Sequence, residues 1–220
     1  MVQRDVVELE APPRKTRVRQ DPIDKYEMRR IELAEAGLKT LAKLGYAKTS
    51  MREIAENSDF THAVLHYYFA DKSDLICYSI KHFKAKCVTR YDVVVAESGT
   101  SDELLQGFIE KLKETIVNET QLHCLWYDLR SQALFEPTLR DVVTEIDESL
   151  EKMIWRIVLR YAELKGGVPS ISSSCAYATL DGLFQMYLLR IVSGDAESVE
   201  HFLDEIRNIV PLLVKYSDSI

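Results

Sequence analysis

The sequence predicts an all-α fold, and two observations carry that prediction. Apolar residues recur every three or four positions along most of the 220 residues, which is the period of an amphipathic helix. Helix-start signals precede several of these stretches, and no segment has the convincing alternation of a half-buried strand. The chain shows no internal repeat, and its 46% hydrophobic content is ordinary for a globular protein with a sizeable core.

The first predicted helix begins near Asp24 and ends at Gly45, a residue that readily terminates a helix. Its apolar stripe consists of Met28, Ile31, Ala34, Leu38 and Leu41. We expect this helix to brace the two shorter helices that follow it.

The next segment predicts two short helices joined by a tight turn. Ser50 and Glu53 form a capping box, in which each side chain accepts a hydrogen bond from a free backbone amide, so a helix begins directly after Ser50. The sequence Asn57-Ser58-Asp59 then favours a turn, and Thr61 can cap the second helix. This is a helix-turn-helix pattern, which places its second helix in the DNA major groove. The second helix is anchored by Val64, Leu65 and Phe69.

The rest of the chain is predicted as a helical body. A capping signal at Asp71 to Asp74 starts one long helix that runs to about Ala96. Ser101 is the expected cap of the next helix, and Pro211 should kink or shorten the last one. The later helices are predicted at about 101–116, 122–136, 139–164, 170–192 and 196–216.

Several motifs of the front segment stand at fixed spacing, namely Gly45-Tyr46, Thr49-Ser50, Ile54-Ala55, Leu65-His66-Tyr67-Tyr68-Phe69 and Lys72. Through them, the stretch 31–75 resembles the TetR family of bacterial transcriptional regulators. Three positions depart from the family pattern. Asp59 and Ala63 stand where glycine is usual, and His66 replaces the usual tyrosine. Asp59 is compatible with a turn because aspartate tolerates positive φ better than most residues.

The resemblance implies which side chains contact DNA. Thr61 and His62 would bond to base edges in the major groove. Ala63 and Val64 would pack against thymine methyl groups, and Arg52 is a candidate for guanine. The phosphates would be held by Thr49, Ser50, His66, Tyr67, Tyr68 and Lys72. For the two tyrosines, packing beneath the head is the alternative.

Charge is distributed unevenly along the chain. Residues 14–90 carry a net charge of +6, whereas residues 91–220 carry −11. This asymmetry is typical of a DNA-binding head on an acidic body, because phosphate attraction is local at physiological salt. The predicted domains are a flexible basic arm (1–22), a helix-turn-helix DNA-binding domain (23–70) and an effector-binding and dimerisation domain (71–220). The arm either contacts DNA or is a solubilising tail.

The body contains residues suited to a small-molecule site, and the family resemblance favours one there over plain core packing. The candidate ligand-binding residues are His123, Trp126, Tyr127, Phe135, Trp155, Tyr177, Phe184 and Gln185. Residues 176–192 are apolar nearly all round, which indicates burial on several faces. The resemblance implies that a second copy covers part of this surface, giving a homodimer through the two C-terminal helices. A central helix within one chain is the alternative.

Other chemistries are disfavoured. The four cysteines show no C-x-x-C spacing, which is typical of reduced residues in the cytosol. His62 and His66 have the spacing of a zinc pair, yet no third ligand is evident. His123, Cys124 and Asp128 lie near one another, but there is no nucleophile elbow or glycine-rich phosphate loop, so we expect neither an enzyme nor a cofactor.

The sequence therefore predicts a cytoplasmic, nucleoid-associated, homodimeric regulator that binds double-stranded DNA. Following the resemblance, it would repress a palindromic operator and release it when a small-molecule effector binds. No membrane partner is expected, because the apolar runs are far shorter than the roughly 20 residues that cross a bilayer. The alternative is a DNA-binding adaptor or activator whose body binds a protein.

Overall fold

The computed structural model describes residues 22–216, with side chains from 25 to 215. The basic arm predicted for residues 1–22 lies, apart from Pro22, outside the described residues. The described elements are α1 (Pro22–Lys48), α2 (Met51–Glu56), α3 (His62–Tyr68), α4 (Lys72–Thr89), α5 (Asp92–Glu97), α6 (Ser101–Asn118), α7 (Thr120–Gln132), α8 (Pro137–Lys165), β1 (Gly167–Pro169), α9 (Ser173–Val192), α10 (Ser198–Leu212) and β2 (Val214–Tyr216). The predicted all-α class is confirmed.

The head has a small core of its own, formed where α1, α2 and α3 meet the start of α4. Ser50 caps α2 through the predicted capping box, and the Thr61 hydroxyl accepts a hydrogen bond from the Val64 amide at the start of α3. Both caps satisfy amides that the first helical turn leaves free. The side chains of this core are Leu33, Met51, Ile54, Leu65, Phe69 and Leu75.

The turn at Gly45 and Tyr46 joins the head to the body. Gly45 has φ 76°, a left-handed conformation that favours glycine, and it ends the regular part of α1 as predicted. The Tyr46 amide donates to Asp128 Oδ2 of α7 at 2.9 Å, and its carbonyl accepts from the Lys72 ammonium of α4 at 2.6 Å. One turn of the head is thereby bonded to two helices of the body.

The single long helix predicted from Lys72 to Ala96 is wrong. The helix ends at Thr89, and α5 begins after a break at Arg90 and Tyr91. The Arg90 guanidinium bonds to Glu119 and to the Thr115 hydroxyl of α6, both at 2.6 Å, while the Tyr91 ring is buried. These contacts with α6 hold the chain where it changes direction.

Two further expectations for the body need correction. Thr100, and not Ser101, caps α6, because the Thr100 hydroxyl accepts from the Glu103 amide in a capping box. Although no strand was expected, β1 and β2 pair antiparallel, with Gly167 opposite Tyr216. Pro211 lies one residue before the end of α10, so it shortens that helix. Within residues 22–216, no helix combines the length and apolarity needed to cross a membrane.

Candidate nucleic-acid interface and ligand cavity

Helix α3 presents most of its outer surface to solvent. Leu65 is fully buried and Phe69, directly after the helix, is 1% exposed, so these two side chains fix the helix on the head. The opposite face carries polar and aromatic groups that none of the described elements covers. Seven of the predicted DNA-contacting residues are exposed, namely Ser50, Arg52, Thr61, His62, Ala63, His66 and Tyr67.

The turn before α3 is tight without requiring positive φ. The Asn57 side-chain amide donates to the Glu53 carbonyl at 2.8 Å, and the Phe60 amide donates to the Ser58 hydroxyl at 3.4 Å. Asp59, like every other described residue except three glycines, has negative φ. Aspartate is therefore accommodated here without the left-handed geometry that the family's glycine suggested.

Two residues predicted to contact phosphates have hydrogen-bond partners within the protein. Thr49 is 3% exposed, and its hydroxyl donates to the Gly45 carbonyl at 2.8 Å, so its side chain does not reach the surface. The Lys72 ammonium donates to the Tyr46 carbonyl and lies 4.2 Å from the centre of the Tyr46 ring. Lys72 therefore holds the turn between head and body. Sequence spacing could not reveal this partner, which is 26 residues away.

Tyr67 and Tyr68 differ in their surroundings. The Tyr67 side chain is 73% exposed, whereas Tyr68 is half-buried and its ring lies 4.8 Å from that of Tyr26 on α1. Tyr67 is thus free to reach a phosphate, while Tyr68 serves mainly to pack the head against α1. Tyr26 was missed because it lies off the apolar stripe of its helix. Val64 is also half-buried.

The histidine pair on α3 has the predicted proximity, with 3.2 Å between His62 Nε2 and His66 Nε2. Arg52, on α2, is paired through its Nε with Glu56 at 2.8 Å, and this exposed pair is one that DNA could readily replace. Among residues 22–216, three possible metal ligands come together only in the body, at Cys87, Glu119 and His123. A third ligand for the histidine pair is therefore absent from the described part of the chain.

An internal cavity of about 80 Å³ lies in the body between α4, α6, α7, α8, α9 and α10. Of the predicted ligand-binding residues, five line this cavity, namely His123, Trp126, Tyr127, Tyr177 and Phe184. The sequence thus indicated two of the helices that line the cavity, α7 and α9.

The other three candidate ligand residues lie away from the cavity. Phe135 is 81% exposed in the turn between α7 and α8. Trp155 packs against the body core from outside, and Gln185 is exposed on the outer face of α9. On α9, Phe184 points inwards and the adjacent Gln185 does not, since neighbouring side chains diverge by about 100° around a helix.

A closed network of charges and tyrosines lies beside the cavity, which Tyr127, Tyr177 and Asp181 line directly. Arg130 bonds to Asp181 at 2.5 Å and to Asp147 at 3.2 Å. The Tyr127 hydroxyl donates to Asp181 at 2.8 Å, and the Tyr177 hydroxyl donates to Asp147 at 2.6 Å. Burial, together with these carboxylates, raises the pKa of both tyrosines, so they remain neutral donors.

The other side of the cavity contains Lys84, whose side chain is 3% exposed. Burial lowers the pKa of Lys84 to about 8. Burial and the neighbouring lysine lower the pKa of His123 to about 3, so the imidazole is neutral at pH 7. The Lys84 ammonium lies 3.3 Å from His123 Nδ1, which therefore accepts the hydrogen bond.

Lys84, Asp147 and Asp181 were not among the predicted ligand residues. A signal was nevertheless present, because Lys84 lies four residues after Ile80 and three before Cys87, on the buried stripe of α4. Asp181 likewise lies between Leu180 and Phe184 on the buried side of α9. A charged residue on a core-facing stripe is a candidate for a polar cavity, since burying it unpaired is costly.

A capped helix-turn-helix head on a helical body with an internal cavity defines the class of this protein. Residues 33–77 match the family model described as bacterial regulatory proteins, tetR family. The match covers the helix-turn-helix head and the start of α4, the same segment in which the sequence resembles the TetR family. The sequence resemblance is thereby confirmed, and a family of regulatory proteins agrees with the expectation that the chain is not an enzyme.

Individual relatives are distant. The HTH-type transcriptional regulator BetI of Burkholderia thailandensis is 21% identical over 118 residues, which are 52% of this chain and 59% of that protein. The chain spans about half the length of the curated relatives it matches.

Solved structures agree with the fold. A TetR transcription regulator from Haloarcula marismortui superposes with a TM-score of 0.71 at 18% identity, covering 86% of this chain and 100% of that one. A putative regulator from Saccharomonospora viridis, solved in complex with choline, gives 0.69 at 16% identity and covers 86% and 98%. At these identities the likeness establishes the fold alone.

Proposed function

We propose that the protein is a DNA-binding transcriptional regulator that inserts α3 into the major groove and responds to a small molecule held in the body. The observation that carries the proposal is the uncovered outer face of α3, fixed to the head by Leu65 and Phe69. The family match and the helix-turn-helix geometry support it. We further propose that it represses a palindromic operator and is released by the effector.

The proposed interface follows from exposure. Thr61, His62 and Ala63 lie at the first turn of α3, the end that reaches base edges when a recognition helix enters the groove. Ser50, His66 and Tyr67 flank that turn and would contact phosphates, which position the head without reading sequence. The net positive charge of residues 14–90 supports local attraction to the duplex.

We propose that the homodimer forms through the outer faces of α9 and α10. Exposed residues recur along α9 at helical spacing, and small residues near its start give way to larger apolar ones near its end. They are Cys175, Ala178, Gly182, Met186, Leu189 and Val192. An uncovered stripe of this kind is typical of a protein interface. Two copies of the head would then face two half-sites of one operator.

Coupling between effector and DNA is proposed to run through α4 and α7. Both helices line the cavity, through Lys84 and through His123 and Trp126, and both bond to the turn that joins head and body. A ligand that favours one position of these helices would shift the orientation of the head, provided that its affinity differs between the two states.

Selection of genomic fragments by the purified protein tests the DNA-binding function. We expect wild-type protein to enrich a palindromic site, and the variant His62→Ala to lose base preference. Gln106→Ala is the control, because Gln106 is equally an exposed polar residue but lies on α6, away from the head and from the proposed dimer interface. If the wild type recovered all fragments equally at low salt, with no preference for any site over random duplex, the proposal would be contradicted.

The second candidate is an adaptor whose body binds a protein partner. The small size of the cavity favours it, since ligand pockets usually measure about 300–1,000 Å³. Binding of any small molecule to the cavity would favour the regulator with an effector instead.

A further inference from the structure

Lys84 is a buried cation, and among residues 25–215 no carboxylate lies within hydrogen-bonding distance of it. Its ammonium contacts His123 Nδ1 at 3.3 Å and lies 5.0 Å from the ring of Trp126 and 5.6 Å from that of Phe83. An ammonium has three donors, and burying a charge is costly unless it is paired. The position therefore has donor capacity that the chain itself leaves unused.

The nearby carboxylates are already occupied. Both oxygens of Asp147 and both oxygens of Asp181 accept from Arg130 or from a tyrosine hydroxyl. Glu119 is bound by the Arg90 guanidinium at 2.6 Å. These acids cannot turn to Lys84 without leaving a stronger partner.

Two ring nitrogens beside Lys84 also lack partners. Trp126 Nε1 and His123 Nε2 are buried and form no hydrogen bond with any described residue. The His123 nitrogen lies 3.8 Å from the Glu119 carboxylate, which is too far for one. With Nδ1 accepting from Lys84, the neutral His123 carries its proton on Nε2. The lysine side of the cavity therefore offers several donors and no free acceptor.

We propose that the cavity binds a small apolar molecule bearing a carboxylate, which accepts hydrogen bonds from the Lys84 ammonium and the Trp126 indole. Its apolar part packs against Phe184, Leu180 and Ile154, which line the remaining wall. The assignment deepens the proposed function by naming the class of effector. The cavity volume of about 80 Å³ restricts the acid to a short chain in this conformation.

Two other ligand classes fit less well. A cation such as choline would meet the uncompensated charge of Lys84. A metal ion could draw on Cys87, Glu119 and His123, whose ligand atoms lie within 4.8 Å of one another, but Lys84 and Arg90 add two positive charges beside that group. Both charges oppose a metal cation.

The probe is sodium butyrate, compared with butyramide as the neutral molecule of similar shape and with choline chloride as the cation. Binding is followed by the fluorescence of Trp126 in a Trp155→Phe background, which leaves one of the two tryptophans. Butyrate is expected to bind at least about tenfold more tightly than butyramide, and choline is expected not to bind. Equal binding of butyrate and butyramide, or tighter binding of choline, would overturn the assignment.

Lys84→Met and Lys84→Gln test the residue itself. Both variants should bind butyrate at least about tenfold more weakly, because they remove the charge that pairs with the acid. Lys81→Met is the matched control, since Lys81 lies on the same helix but is solvent-exposed and paired with Glu145. Unchanged affinity in both Lys84 variants would refute the proposal. Their melting temperature should equal or exceed that of the wild type, because a buried charge is removed.

Failure here and failure of the proposed function are distinguishable. If the fragment selection recovers an operator but no butyrate binds, the carboxylate assignment is refuted and the proposed DNA-binding function is supported. If butyrate binds through Lys84 but no operator is recovered, the carboxylate assignment is supported and the proposed DNA-binding function is refuted.

Discussion

His123 is kept neutral by the residues around it, and this makes stability depend on pH. Its pKa is about 3 in the folded protein and 6.5 in the unfolded chain, so between these values the unfolded state binds more protons. Stability is therefore fully present above pH 6.5 and is lost as the pH falls towards 3.

We expect His123→Gln to reduce this loss. Between pH 7 and pH 5, the free energy of unfolding from urea titrations should fall by roughly 2 kcal/mol less in the variant than in the wild type, at about 1.4 kcal/mol per pH unit. His201→Gln, an exposed control, should behave like the wild type. An identical pH slope in all three proteins would contradict the buried neutral state.

Tyr67 and His62 are both exposed on α3, but they should contribute differently to DNA binding. Tyr67→Ala should weaken binding to all sequences alike, because a phosphate contact carries no base information. His62→Ala should lower the preference for the operator over a mutated site by about 1–3 kcal/mol at one base pair. Gel-shift titrations on matched and mutated duplexes measure both effects. Uniform loss in His62→Ala would remove it from base reading.

For single residues, hydrogen bonds to near neighbours in the sequence could be predicted, whereas burial within the folded protein could not. The caps Ser50, Thr61 and Asp71 were assigned correctly because each bonds to an amide three residues away. The burial of Thr49 was not predicted, because spacing alone does not show that its hydroxyl donates back to the Gly45 carbonyl. Lys84 was not predicted to line the cavity, because a lysine side chain is ordinarily exposed to solvent.

At the scale of the helix, the start of α6 tests the corrected cap. Thr100→Ala should lower the free energy of unfolding by about 1 kcal/mol, because it removes the acceptor for the Glu103 amide. Ser101→Ala is the neighbouring control and should cost less, since its hydroxyl does not accept from that amide. Urea unfolding of both variants gives the comparison. A larger loss in Ser101→Ala would restore the original assignment.

The bond between α7 and the head suggests a test of coupling that needs no effector. In the Trp155→Phe background, operator binding should change the fluorescence of Trp126, because α7 carries both that indole and Asp128. Asp128→Ala should diminish the change by removing the acceptor for the Tyr46 amide. Glu136→Gln, which retains an oxygen for the Tyr46 hydroxyl, is the control. The same fluorescence response in wild type and Asp128→Ala would argue against this route.

The sequence pattern predicted where the helices lie, but it did not predict the break between α4 and α5 or the two short strands. Tyr91 continues the stripe of Ile80 and Cys87, so spacing alone predicted an unbroken helix. The break depends on Arg90 reaching Glu119, a partner 29 residues away. The paired strands were missed because each has three residues, too few for an alternating pattern to be recognised.

For the molecule as a whole, α9 is the element on which assembly depends. Leu189→Glu should convert the dimer to a monomer, because it places a charge between Met186 and Val192, at the more apolar end of the uncovered stripe. Leu134→Glu is the control, since Leu134 is 73% exposed, against 67% for Leu189, but lies between α7 and α8. Analytical ultracentrifugation at micromolar concentration distinguishes the states. A monomeric wild type would rule out the proposed assembly.

The pairing of β1 with β2 has a practical consequence for anyone who joins another protein to this one. The Ser170 amide donates to the Leu213 carbonyl, and a side chain at Gly167 would collide with the Lys215 carbonyl at 2.5 Å. These contacts fasten the segment after α10 to the end of α8. A fusion or a shortened version should therefore preserve the chain through Tyr216, because cutting at Leu212 would remove the strand that joins the end of α10 to the end of α8.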